Sequence, residues 1–515
     1  QIVRELGAFL KHRKDLRGLI CSSLDRLIDQ NAAVVKGTPE ASEAPLWFNK
    51  EIATANCEAI AAAARFFLPI LFDAFVSAPI EERSALHNTI KGFASISDKG
   101  SLEMFFRVVI KKLMKVSTDA ANAPDALLEG GADVPSRRCT FMELALLLEE
   151  GLDDTGAGML FSVARPALTD GSAQVQKKAY KMMAHLCSNR TQLASEQLEQ
   201  IQEALVASLQ VCSPQAKRNR LQCLGATILL INQSVGIATA NSLEPIMPFI
   251  SEIVLATKDV NTKARMTSFE LLVKIAHGFE SHDENDELRN TGMGMSGADE
   301  ESVGRLHTLM MMVMGGLAGA TGTMMSASVC ALSRLLFEFS NTLIHMIPDL
   351  LPAVLLLMKT QNREVVNSVL GFVKVTVMRL SVEDLHGQIP ILLEGMLVWG
   401  SESAKTRFRS KVKVILERMT RRCGHEAVAE HIPSEHERLI RHIRRMAVRK
   451  ENKRNAAETA SQGGGGSVRS ARTARKSEWN DNILDGDDED EDMATDVTGE
   501  TKSRAGQSRP GTRAI

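Results

Sequence analysis

Apolar residues recur at spacings of three and four along most of this 515-residue chain, and no alternating apolar/polar run is long enough to establish a sheet. The pattern predicts helix after helix, and from residue 159 onward the helices come in pairs. Each pair has a first helix, a short polar turn and a second helix. The predicted pairs are 159–168 with 174–187, 195–211 with 215–231, 243–256 with 261–277, 306–315 with 324–339, 348–358 with 363–380, and 389–399 with 403–423.

Aligned on Val175, Ala216, Thr262, Met325, Val365 and Ala404, the second helices step by 41, 46, 63, 40 and 39 residues. The long step holds an acidic, Gly-rich insertion at 278–303, and removing about 22 of its residues brings that step near the others. A two-helix unit near 40 residues is the signature of HEAT or armadillo repeats. Such a pair cannot bury its apolar face alone, so neighbours stack. The expected fold is therefore all-α, a HEAT/armadillo-like α-solenoid over 141–455 with the insertion protruding. Before it, 46–76 and 80–116 read as less regular helices within an N-terminal helical part, 1–116. Residues 117–140 read as a Gly/Ala/Asp-rich linker. Residues 456–515 are poor in apolar side chains and read as a disordered acidic tail. Gln1 already stands in a helix-like run, which predicts a piece of a longer protein and no readable targeting signal.

Composition narrows the function classes. Aromatic residues are only 4% of the chain, with one tyrosine, too few for a sheet that stacks RNA bases. Eight cysteines lie far apart without a Cys-x-x-Cys pair, which predicts reduced, mostly buried thiols and a cytosolic or nuclear setting. Between Arg305 and Arg334 stand 28 residues without a charged Asp, Glu, Lys or Arg. That length could cross a bilayer. Its glycines at 315, 316, 319 and 322 and its hydroxyl residues predict instead two buried helices with a turn between them.

No catalytic residue, cofactor site or metal site is expected. His425 and His431 are six apart, which puts them about 120° apart on a helix, whereas two zinc ligands on one face need i and i+4. The glycines of 315–322 lack the following Gly-Lys-Ser/Thr that holds phosphates and magnesium.

Charge carries more. The chain as a whole is −2, yet residues 405–454 hold 16 Lys and Arg against 6 Asp and Glu, a net +10. The cations are Lys405, Arg407, Arg409, Lys411 and Lys413, then Arg418, Arg421 and Arg422, then Arg438, Arg441, Arg444, Arg445, Arg449, Lys450, Lys453 and Arg454. All but Arg418 are candidate RNA-binding residues, through phosphate contacts, because only Phe408 stands among them for stacking. The run 449–454 also suits a nuclear import signal. Residues 478–500 hold 11 acids and no Lys or Arg. Second helices open with further cations: Lys177, Lys178 and Lys181; Lys217, Arg218 and Arg220; Lys263 and Arg265. These form either a basic stripe on one surface or ordinary salt bridges between repeats.

Several stretches together resemble one family. They are Val175-Gln-Lys-Lys-Ala-Tyr-Lys181, Lys217-Arg-Asn-Arg-Leu-Gln-Cys-Leu224, Gly316-Leu-Ala-Gly319 running on to 325–339, Arg363-Glu-Val-Val-Asn-Ser-Val-Leu-Gly371, and Phe408-Arg-Ser-Lys-Val-Lys-Val-Ile-Leu-Glu-Arg418 followed by 424–428 and 432–436. In this order, over roughly residues 45–455, they are similar to the ribosomal RNA-processing protein twelve family. These are HEAT-repeat factors of small-subunit ribosome assembly. The acid run near 479–492 is similar to that family's tail. The resemblance implies a non-enzymatic nuclear and nucleolar scaffold that shuttles to the cytoplasm. Its implied partners are pre-ribosomal RNA, small-subunit ribosomal and assembly proteins and the GTPase Ran, with no membrane, and its implied role is in small-subunit maturation and nuclear export. The alternative in the same fold is a karyopherin-like nuclear transport receptor.

Overall fold

A computed structural model of the chain describes residues 2–37, 48–122, 134–234, 246–292, 304–397 and 402–461. The described residues form ten helix pairs and no strand. In chain order these are α1 (Ile2–His12) with α2 (Arg17–Lys36), α3 (Lys50–Ser77) with α4 (Arg83–Ile96), α5 (Lys99–Asn122) with α6 (Val134–Leu147), and α7 (Asp154–Ala167) with α8 (Ala173–Asn189). A short α9 (Thr191–Glu196) leads into α10 (Leu198–Ala207), paired with α11 (Lys217–Ser234). Then follow α12 (Met247–Ala256) with α13 (Thr262–Gly292), α14 (Arg305–Gly315) with α15 (Gly322–Glu338), α16 (Ile347–Leu356) with α17 (Arg363–Arg379), α18 (Val382–Leu397) with α19 (Glu402–Cys423), and α20 (His425–Glu430) with α21 (Glu437–Ser461).

The pairs stack into two layers. Every second helix packs on the next, from α2 on α4 through to α19 on α21, and the first helices form the other layer. One hydrophobic core runs unbroken from Leu10 to Ile443. This is the solenoid that the 40-residue step predicts, and its stability is the sum of neighbour interfaces. Several helices start on side-chain caps: Asn49 accepts from Ile52 N, Asp153 from Gly156 N, Thr321 from Met324 N, and Asn362 from the N–H groups of Glu364 and Val365. Each satisfies a helix-end donor that has no partner within the helix.

The N-terminal part is regular. The span read as one helix over 80–116 is two helices, because Ser97 turns extended and Asp98 caps α5 by accepting from Ser101 N at 2.8 Å. The described residues of the expected linker are helical, and residues 123–133 lie outside the described residues. Residues 117–122 finish α5 and 134–140 begin α6, and the two helices pack on each other. Pro135 sits in the first turn of α6, where a missing N–H costs nothing. The expected insertion also begins as helix. α13 continues through Gly278 to Gly292, with Phe279 buried and Asn232 donating to the Gly278 carbonyl at 3.1 Å. No Gly or Pro interrupts 279–291, and Glu280, Glu284, Glu287, Leu288 and Arg289 are good helix formers. Residues 456–461, expected in the tail, end α21; the rest of the expected acidic tail lies outside the described residues.

The charge-free stretch folds as two buried helices and a turn. Leu306, Leu309, Met310 and Val313 of α14 are buried, as are all residues 326–333 of α15. The chain between them turns over Gly316, where a Cβ would stand 2.1 Å from Ser328 Oγ. By length and composition alone, α3 is the one described helix able to cross a membrane; its Phe67, Leu68, Leu71 and Phe75 are buried in the core.

Candidate nucleic-acid interface

The second-helix cations divide. Lys178 pairs with Glu143 at 2.9 Å, Lys217 with Asp259, and Arg265 donates to the Asp259 carbonyl at 2.9 Å. Arg220 is fully buried and pairs with Glu252. Lys178, Lys217 and Arg220 hold neighbouring repeats together, and Arg265 ties down the turn of its own pair. Lys177, Lys181 and Lys263 are exposed. The stripe is thus mostly inter-repeat bonding with a few free charges.

The C-terminal cluster is built differently. In α19, Phe408, Val412, Ile415, Leu416 and Met419 are buried. At about 100° per residue, cations spaced two apart fall alternately on the two flanks of that buried stripe. One flank faces α17. There Lys411 donates to Asn367 at 2.8 Å, and Arg422 caps the α17 end through the Val377 and Leu380 carbonyls, the latter at 2.7 Å. Arg407 lies on the same flank, exposed at its open end. The other flank, Arg409 and Lys413, faces α21. Lys413 stands 3.8 Å from Glu417, one turn on.

α21 is anchored by Ile440 and Ile443. Arg438, Arg441, Arg445 and Arg449 follow one another at spacings of three and four, a single exposed stripe about 16 Å long, with Arg444 beside it. Arg441 pairs with Glu437 at 2.7 Å. Arg407, Arg409, Arg421, Arg438, Arg444, Arg445 and Arg449 are exposed and have no hydrogen-bond or ion-pair partner among the described residues. The side chains of Lys405, Lys450, Lys453 and Arg454 lie outside the described set, although all four stand in helices.

His442, between the two helices, registers the excess charge. Burial first, then Lys413 and Arg445, push its imidazole below the ordinary value; Glu417 opposes this and Arg409 adds to it. The seam between α19 and α21 therefore carries more cations than acids. The sequence reading did not single out His442; its place between Arg441 and the buried Ile443 was the available signal.

No group of three or more His, Cys, Asp or Glu among the described residues is placed to hold a metal. His425 begins α20 and His431 follows its last residue. All eight cysteines are free, five buried and three half-buried, and burial pushes the thiols of Cys139 and Cys187 up to about 11, away from nucleophilic use. An open groove of about 980 Å³ lies between α7 and α9–α10, lined by Met159, Phe161, Arg165, Leu193, Gln200 and Ala204 among others; Arg165 donates to Gln200 across it at 2.6 Å.

Comparison with known proteins supplies the context. The sequence model of the family described as "Ribosomal RNA-processing protein 12, HEAT repeats" matches residues 1–78, partly upstream of the stretches that resembled it above. The RRP12-like protein of Homo sapiens is 28% identical over 472 residues, covering 89% of this chain and 32% of its own length. Ribosomal RNA-processing protein 12 of Saccharomyces cerevisiae is 27% identical over 502 residues, covering 96% of this chain and 39% of its own. The chain thus spans about a third of the curated relatives it matches. Among solved structures, yeast importin-beta (Kap95p) aligns with a TM-score of 0.39 and 11% identity over 81% of this chain and 52% of that one. Along nearly its whole length this two-layer solenoid of helix pairs is thus similar in sequence to part of the ribosomal RNA-processing protein 12 and RRP12-like proteins.

Proposed function

We propose that this chain is a non-enzymatic scaffold of ribosome biogenesis, working in the nucleus and nucleolus. In this reading α19 and α21 bind pre-ribosomal RNA, while the rest of the solenoid docks small-subunit precursor proteins and the assembled particle matures for export. One observation carries the proposal: seven exposed arginines on α19 and α21 lack any described acidic partner. Arginine offers a planar fork of donors that matches phosphate oxygens. Buried aromatic Phe408 leaves no ring on this surface for base stacking, so contact is to the backbone and largely indifferent to sequence. Shape and neighbouring proteins then supply specificity.

The test is binding of the chain to structured precursor RNA across salt. If about four phosphates are engaged, the log–log slope should be about −3 to −4. Reversing Arg441, Arg444 and Arg445 to Glu should weaken binding to all sequences alike and flatten that slope. Unchanged affinity and unchanged particle association after the reversal would refute the assignment. Binding that needs Ran-GTP and no RNA would favour the karyopherin-like alternative.

A further inference from the structure

We infer that the acidic segment 485–492 docks back onto the basic face of α19 and α21 of the same chain and holds it closed against weak polyanions. The inference rests on the basic face being the RNA surface, and adds the occupant of that surface when RNA is absent. Three observations support it.

The first is charge. Residues 478–500 carry 11 acids and no cation. The connector before them carries Arg469, Arg472, Arg475 and Lys476, and the residues after them carry Lys502, Arg504, Arg509 and Arg513, so the acids outnumber all their flanking cations by three. Six of the acids are consecutive, Asp487 to Asp492. The described part of the chain offers one matching surplus nearby, the unpartnered arginines of α19 and α21.

The second is reach. From Ser461, where α21 ends, back to Arg445 is 16 residues of helix, about 24 Å. From Ser461 forward to Asp485 is 24 residues including Gly463 to Gly466, and a flexible linker of that length would have an r.m.s. span of at least about 27 Å. Effective concentration is greatest when the linker's r.m.s. length matches the span, and then reaches the millimolar range. The acids are spaced to meet these arginines rather than those of distant repeats.

The third is the seam itself. Arg409 and Lys413 of α19 face His442 and Arg445 of α21, and Glu417 is the acid that acts on the same imidazole. A run of carboxylates lying along this seam neutralises cations from both helices at once. RNA phosphates do the same with a denser array and displace it.

The experiment uses two arms. In the first, a labelled peptide of residues 478–500 is added to the chain truncated after Ser477, without RNA, and polarisation is read. Binding with a Kd near 0.1 mM at low salt is expected, weakening as salt rises. It should weaken at least tenfold in Arg409→Glu/Arg444→Glu/Arg445→Glu, and vanish for a peptide with Asp487 to Asp492 changed to their amides. In the second arm, RNA affinity of the truncated chain is compared with that of the full chain. At a millimolar effective concentration against about 0.1 mM, truncation should tighten RNA binding about tenfold. Because the substituted arginines are exposed, circular dichroism should be unchanged, and the amide peptide tests docking with the protein untouched. No peptide binding, or equal binding to the reversed-charge variant, overturns the inference. So does sedimentation showing dimers that the truncation dissolves, since the occupant would then be a second copy's tail. Peptide binding without RNA binding would leave docking standing and remove the RNA reading; the reverse result would do the opposite.

Discussion

Replacing Arg220 by Met should loosen the middle of the solenoid by about 3–5 kcal/mol. Arg220 is 1% exposed on α11. Its guanidinium donates to both carboxylate oxygens of Glu252 on α12, at 2.6 and 2.9 Å, to Ser208 Oγ at 2.7 Å, to the Leu205 carbonyl of α10 at 2.9 Å, and to Tyr180 Oη of α8 at 3.1 Å. Burial opposes its charge, and Glu252 more than restores it, so the guanidinium stays protonated at any accessible pH. One side chain thus ties four helices from three successive pairs. Methionine fills much of the volume but removes the guanidinium donors to Ser208, the Leu205 carbonyl and Tyr180, of which Ser208 and Leu205 keep their bond to each other at 3.1 Å, and it leaves Glu252 nearly buried without a counter-ion. That uncompensated carboxylate dominates the cost, because losing one member of a buried pair is worse than losing both. Repeat arrays need not unfold in one step, so the assay is native-state hydrogen exchange resolved by helix. Amides of α10, α11 and α12 should open about a hundred to several thousand times more often, at about 1.4 kcal/mol per decade, while α1 to α4 stay unchanged. Arg220→Met/Glu252→Met should recover most of the loss. Protection of α10–α12 within a factor of three of the parent would show that the node is a wet surface pair and refute the argument.

Ala331→Asp places a carboxylate at a fully buried site of α15 and should cost several kcal/mol, read as a lower midpoint in urea; an unchanged midpoint would mean the helix is not enclosed. Gly395→Ala brings a Cβ to 2.7 Å from Leu355 Cβ, an atom that cannot swing away, so α16 and α18 must separate, at a cost of about 1–3 kcal/mol in the same titration. Glu149 is buried, which raises its carboxyl pKa, but His185 and Arg190 lower it more, leaving it below the usual glutamate value. Its contribution is therefore present above the unfolded glutamate range and lost as pH falls through the lower folded value. Melting followed from pH 7 to pH 3 should show a step in acid that Glu149→Gln lacks.

The helix pairs from residue 159 onward were legible because 3.6-residue periodicity and turn chemistry are local properties. So were the turn at 315–322 and the 40-residue step, which together predict stacking. The N-terminal pairs were harder to read. The cap at Asp98 that splits α4 from α5 is a single side chain, and the sequence between α5 and α6 reads in composition like a linker between domains. The charges depended most on tertiary structure. Sequence alone placed 16 cations in residues 405–454, but which ones remain free depends on what lies beside each flank of α19. Packing on α17 spends Lys411 and Arg422 on side-chain and carbonyl partners from another repeat, 44 and 42–45 residues away. The same packing leaves Arg407, Arg409 and the α21 stripe open. Likewise Arg218 and Arg220 stand two apart in one motif, yet one is exposed and the other buried. A charge's helical position is set by the residues around it in sequence; its desolvation and its partner are set by the neighbouring repeat, which only the stacked solenoid supplies.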